Sequence, residues 1–138
     1  MSAYDVATIT VEHGPTAIGS AGPFTLVIDR PTAVGGRGRG FNGGQLLNLA
    51  VAGCISNDLF REAATEGISL RRVAVTVQSD YAGEPPVSTP IEYDVTVEGD
   101  AAEEALRRLV QHVDEIAEIP NSLRWATEVQ LRTVEIRR

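Results

Sequence analysis

The chain contains one cysteine, Cys54, and its neighbours set what that thiol could do. A thiolate is the nucleophile and the oxidisable form of cysteine, so a thiol held in a shaped site is a candidate for redox chemistry. Asp58 follows four residues later, one helical turn on and on the same face, where a carboxylate opposes thiolate formation. Arg61, three residues beyond Asp58, is placed to neutralise it through a helical pair. The competing reading makes Cys54 a small apolar filler in a buried helix. This stretch alone leaves both readings open.

Other chemistry is thinner. His13 and His112 are the only histidines, and neither has a second ligand type at metal spacing, so no metal site is expected. His112 falls beside the apolar stripe of a helix and reads as a solvated edge residue. No G-x-S-x-G turn supports a serine nucleophile. Gly38-Arg39-Gly40-Phe41-Asn42-Gly43 matches the G-x-G-x-x-G dinucleotide fingerprint, but seven residues separate it from Arg30 at the end of its strand. The acidic residue roughly 20 positions on, Asp58, lies in mid-helix and not at the end of a second strand. A nicotinamide site is rejected and no cofactor is expected. Two readings of the glycine loop remain: its amides, with Arg37 and Arg39 nearby, receive an anionic group, or the glycines only let backbone pack closely.

The elements that position these residues follow from periodicity. Tyr4–Glu12, Thr16–Ser20 and Phe24–Arg30 read as strands, with Gly22-Pro23 turning the chain between the last two. A helix starts at Asn42, a strong cap with Gln45 three residues on to complete a capping box, and runs to Glu66 before Gly67. Its first half, Leu46 to Ile55, is apolar on every side and its second half polar, so the first half should be the more buried. Arg72–Asp80 and Ile91–Glu98 alternate apolar and polar residues, as strands with one buried face do. A second helix is capped by Asp100 with Glu103, carries the stripe Leu106, Leu109, Val110, Val113, Ile116 and Ala117, and stops at Pro120. Trp125–Ile136 reads as a final strand with a bulge near Thr133, where its apolar phase switches. The order is βββ-α-ββ-α-β, an α+β class.

At 138 residues, the chain is expected to be a single domain, residues 1–138. A net charge of −7 and a pI near 4.8 argue against nucleic acid and anionic membrane as partners. No apolar run reaches the roughly 20 residues needed to span a bilayer. The N-terminus, Met1 to Asp5, lacks a basic region followed by an apolar run. With a lone cysteine that cannot form an internal disulfide, this points to the cytoplasm.

Asn42-Gly43-Gly44-Gln45-Leu46-Leu47, Ala50-Val51-Ala52-Gly53-Cys54 and Ala63-Ala64-Thr65-Glu66-Gly67-Ile68 followed by a strand resemble the OsmC/Ohr family of thiol peroxidases. The resemblance runs from the first strand to Val134. It implies a twisted sheet wrapped around a buried cysteine helix, in an intertwined homodimer with the site at the subunit interface. It implies that Cys54 is the peroxidatic cysteine. The family's resolving cysteine falls at Ala117, its activating glutamate at Gly44 beside Gln45, and its arginine in Thr8–Gly22, which holds none. A two-cysteine cycle within one chain is therefore impossible.

Three functions follow as expectations. The first is organic hydroperoxide reduction at Cys54 alone, with an external thiol resolving the sulfenic acid. The second is binding of a small apolar molecule in the dimer-interface pocket without thiol chemistry. The third is a non-redox enzyme of specialised metabolism on the same fold. The expected polar lining is Gln45, Asn48, Asn57, Asp58, Arg61, Asn121 and Ser122, with Ala117 where the second sulfur would stand.

Overall fold

The computed structural model describes residues 2–138; Met1, the first residue of the N-terminal stretch read above, lies outside them. The chain divides into two compact units, residues 1–49 and 50–138.

In the first unit β1 (Ala7–Thr10), β2 (Ala17–Ala21) and β3 (Phe24–Ile28) form an antiparallel sheet in the order β1-β2-β3. β1 and β3 are shorter than the expected Tyr4–Glu12 and Phe24–Arg30, and β2 is shifted by one residue from the expected Thr16–Ser20. A single 3₁₀ turn at Thr32–Val34 follows, and then the glycine loop, which returns to the sheet through a bridge between Ile28 and Phe41. Gly36 is required in that loop because a Cβ there would collide with the Arg30 carbonyl.

The loop does receive an anion, and the anion is the chain's own. The Asp29 carboxylate, 2% exposed, accepts the Thr16 hydroxyl at 2.8 Å and the backbone N–H groups of Arg30 at 2.7 Å and of Arg37 and Arg39 at 3.2 Å each. The Arg37 and Arg39 side chains instead converge on Glu12 Oε2, at 3.2 and 2.9 Å. Burial pushes the Asp29 carboxyl up, but the four hydrogen bonds outweigh it and hold the group down at about 2.

Helix α1 (Gly43–Thr65) begins as expected: the Asn42 side chain accepts the Gln45 N–H at 2.9 Å, and Gln45 Oε1 accepts the Asn42 N–H at 3.0 Å. It ends in a Schellman motif with Gly67 at φ +70°, Ile68 N–H donating to the Ala63 carbonyl and Gly67 N–H to that of Ala64. Burial along α1 is shared between its halves and not concentrated in the first. Its buried residues are Val51, Ile55, Asp58, Leu59 and Ala63, whereas Leu49, Ala50 and Gly53 are exposed. The all-round apolar half has more hydrophobic surface than one chain covers, while the second half has one clean apolar stripe that a sheet and a helix can bury.

In the second unit β4 (Leu70–Gln78) and β7 (Glu92–Gly99) pair antiparallel, with Val73 opposite Val97, Val75 opposite Val95 and Val77 opposite Tyr93 on the inner face. A two-residue pair, β5 (Tyr81–Ala82) and β6 (Val87–Ser88), lies between them in sequence and was not anticipated. Helix α2 (Glu103–Ile116) lays Leu109 and Val113 against Ile55, Leu59 and Ala63 of α1. Its cap residue is Ala102, not Asp100, with Glu103 and Glu104 in its first turn facing the helix dipole. Asp100 is instead ion-paired to Arg71.

Pro120 does not end the helical region. The chain breaks at Ala117 and restarts as α3 (Glu118–Arg124), where Pro120 occupies the first turn and sacrifices no hydrogen bond. The expected final strand, Trp125–Ile136, forms no strand: residues 127–138 are irregular, and Val129, Leu131, Val134 and Ile136 are 65–94% exposed. A strand exists only through hydrogen bonds to a neighbour, and among the described residues this segment pairs with no strand. No described helix is long and apolar enough to cross a membrane.

Because Asp29 titrates lower in the folded state than its unfolded value of about 3.9, its stabilisation is complete above that value and disappears as pH falls through about 2. Asp29→Asn should therefore lower the Tm at pH 7, by on the order of 5 °C. Thermal melts by circular dichroism should show the gap to wild type closing towards pH 2. A gap of constant size across that range would contradict the assignment.

Candidate functional site

Cys54 is half-buried, less enclosed than a helix apolar on all sides predicts. One side of the residue packs against the core formed by Ile55, Leu59, Ala63, Leu109, Val113 and Ala117. The helical period that puts Ile55 and Leu59 into that core puts Cys54 and Asp58 at its rim. The thiol S–H donates to Asp58 Oδ2 at 3.9 Å, and Asp58 is itself buried, 7% exposed.

A buried carboxylate needs a partner, and Arg61 supplies it, Nη1 standing 3.1 Å from Asp58 Oδ1. The spacing of Cys54, Asp58 and Arg61 in the sequence thus yields the contacts it promised. Arg61 is also shared: its Nε donates to Glu62 Oε1 at 3.1 Å. The hydrogen bond to Glu62, and then the charge of Asp58, raise Arg61 against the opposing cost of burial. The Arg61 bond lowers the Glu62 carboxyl, burial opposes this, and His112 lowers it further. His112 Nε2 lies 3.3 Å from Glu62 Oε2, so the exposed histidine expected at the edge of α2 has a partner on α1. Glu62 and His112 are 50 residues apart in sequence, and no local spacing could have joined them.

The other expected lining residues have local duties. Ala117 is fully buried in the core against which Cys54 packs. Asn57 is exposed, and Asn48 is half-buried on α1. Gln45 is spent on the α1 cap. The Asn121 amide donates to the Glu115 carbonyl at 2.9 Å and its oxygen accepts from Arg124, while the Ser122 hydroxyl donates to the Glu118 carbonyl at 2.7 Å. The Asn121 bond satisfies a carbonyl in the last turn of α2, and the Ser122 bond runs back within α3.

Two features went unread in the sequence. Tyr93 donates to the Asp114 carboxylate, which Arg124 also holds at 2.7 Å, pinning α3 to α2 and β7. Burial first, and then the bond to Asp114, push the Tyr93 phenol well above its ordinary range. The first unit has an apolar hollow of about 250 Å³ lined by residues including Val6, Phe24, Leu26, Ile28 and Leu46. None of the expected lining residues borders it; its signal was the alternation of β3, whose second face also needs cover.

Among curated proteins none matches the chain. Solved structures match its fold. An OsmC-like protein from Mycoplasma pneumoniae is 17% identical with a TM-score of 0.76, covering 88% of this chain and 86% of its own. An organic hydroperoxide resistance protein from Legionella pneumophila is 20% identical at TM-score 0.59, covering 90% and 92%. Another from Vibrio cholerae, with captopril bound in one of its active sites, is 18% identical at TM-score 0.65, covering 90% and 87%. The family model described as OsmC-like protein matches residues 36–132, from the glycine loop through the cysteine helix and Ala117 into the C-terminal segment. The chain therefore belongs to the OsmC-like family.

Proposed function

We propose that this protein reduces organic hydroperoxides at the single thiol of Cys54, with an external thiol as reductant, and that it does so as a homodimer. The observation that carries the reading is the placement of the sulfur. Cys54 sits at the rim of an apolar core, open on one side, with its S–H directed to a buried carboxylate whose charge Arg61 holds. Kinship with a family that includes proteins described as organic hydroperoxide resistance proteins supports it.

The Cys54 thiol yields its proton to solvent, a loss eased by Arg61, which holds the opposing charge of Asp58. The Cys54 thiolate then attacks the distal oxygen of the hydroperoxide, the O–O bond breaks, and the alkoxide leaves with a proton from solvent as an alcohol. Cys54 is left as a sulfenic acid. Ala117 has no sulfur to resolve it, so a first external thiol condenses with it, forming a mixed disulfide and releasing water. A second thiol displaces Cys54 and leaves as the external disulfide. Small thiols at the required concentration are a property of the cytoplasm, where we place the reaction.

The homodimer follows from unfinished burial. Covering Val129, Leu131, Val134 and Ile136 is worth roughly 6–12 kcal/mol, comparable with the whole stability of a small domain. A second copy is the partner always present at equal concentration, and a strand exchanged between copies would satisfy both the backbone and the side chains.

Cys54→Ser should abolish hydroperoxide-dependent consumption of a small thiol while shifting the Tm by no more than about 3 °C, because the swap is nearly isosteric. Unchanged consumption would sink the thiol reading and leave the apolar hollow, a site for a small apolar molecule, as the better lead. Sedimentation equilibrium should give twice the 14.8 kDa chain mass at micromolar concentration. Truncation after Thr127 should lower that mass or precipitate the protein. A folded, soluble wild-type monomer would refute the pairing.

A further inference from the structure

We propose that His112 sets the reactivity of Cys54 through a chain of charged side chains, Glu62, Arg61 and Asp58, that crosses from α2 to α1. The chain deepens the thiol reading, on which its biological meaning rests. Every link is a contact: His112 Nε2 to Glu62 Oε2 at 3.3 Å, Glu62 Oε1 to Arg61 Nε at 3.1 Å, Arg61 Nη1 to Asp58 Oδ1 at 3.1 Å, and Asp58 Oδ2 to Cys54 Sγ at 3.9 Å. Each carboxylate gives one oxygen to Arg61 and the other to its remaining neighbour. One guanidinium is thus divided between two anions.

That division decides the field at the sulfur. With His112 neutral, Asp58, Arg61 and Glu62 sum to one negative charge, and Asp58 keeps part of it facing Cys54. With His112 protonated, Glu62 has its own cation and Arg61 is left to Asp58, so the thiolate is less opposed. Imidazole is the side chain whose charge changes between pH 5 and 8, which makes it the variable member of the chain. The other charged groups bearing on it are few. Glu118 of α3 acts on Arg61, while Arg108 and Glu115 share the His112 face of α2, four residues before and three after. Glu62 and Arg61 are positioning residues in this scheme. Only Asp58 touches the thiol.

The test is the rate of Cys54 alkylation by iodoacetamide on the intact protein between pH 5.5 and 9, with no peroxide present. A failure of peroxide chemistry therefore leaves it readable. At pH 6 His112→Gln should alkylate roughly threefold more slowly than wild type, and at pH 9 the two should match. Glu62→Gln should alkylate roughly threefold faster at pH 7, and adding His112→Gln to it should change nothing. Arg61→Gln should be slower across the range. Identical profiles for wild type and His112→Gln, or an unaltered effect of His112→Gln in the Glu62→Gln background, would overturn the chain. A merely structural histidine would alter rates at both pH extremes alike.

Discussion

Six side chains with almost no exposure, Ile55, Leu59 and Ala63 from α1, Leu109 and Val113 from α2 and Ala117 at the break after it, hold the second unit together over the valines of β4 and β7. Everything placed around Cys54 depends on that contact. Ile55 and Leu59 turn one face of α1 inward, so Cys54 and Asp58 must stand at the margin, and Leu109 and Val113 bring His112 within reach of Glu62. Interiors this dense do not absorb a lost side chain cheaply: truncating a buried leucine costs about 2–5 kcal/mol. Geometry at the thiol is thus set by packing several ångströms away from it.

The chain solves the problem of a buried carboxylate in two ways. Asp29 is held by backbone amides and a hydroxyl, neutral donors that do not titrate, in a loop whose glycines allow the amides to converge. That arrangement is fixed. Asp58 is held by a guanidinium that also serves Glu62, and its second oxygen takes the thiol. That arrangement is adjustable, because charge can be redistributed along it. The contrast separates a carboxylate that builds a loop from one that bears on a reactive atom.

Much of this was legible in the sequence, for local reasons. The Asn42–Gln45 capping box, the Gly67 terminator and the alternation of β4 and β7 are short-range patterns with a single physical solution, and all appear in the structure. The contacts among Cys54, Asp58 and Arg61 follow from helical spacing alone. What was not legible depends on partners distant in sequence. Asp100 had the form of a cap but is ion-paired to Arg71, and Ala102 took its place. Asn121 and Ser122 gave no sign of their partners, the carbonyls of Glu115 and Glu118, because the break at Ala117 that brings Asn121 to the end of α2 is not a local pattern. Residues 125–136 have the residue types of a strand but no neighbour to pair with in one chain. The pattern states a propensity there, which the strands described in one chain do not realise.

The central claim is that the Cys54 sulfur meets and is oxidised by an organic hydroperoxide. Its most direct test is chemical trapping: one equivalent of cumene hydroperoxide is added to the reduced protein with dimedone present, and the peptide carrying Cys54 is weighed by mass spectrometry. The account predicts a dimedone adduct on Cys54, formed within seconds and absent without peroxide. A Cys54 recovered as the free thiol, while the peroxide remains unconsumed, would contradict it.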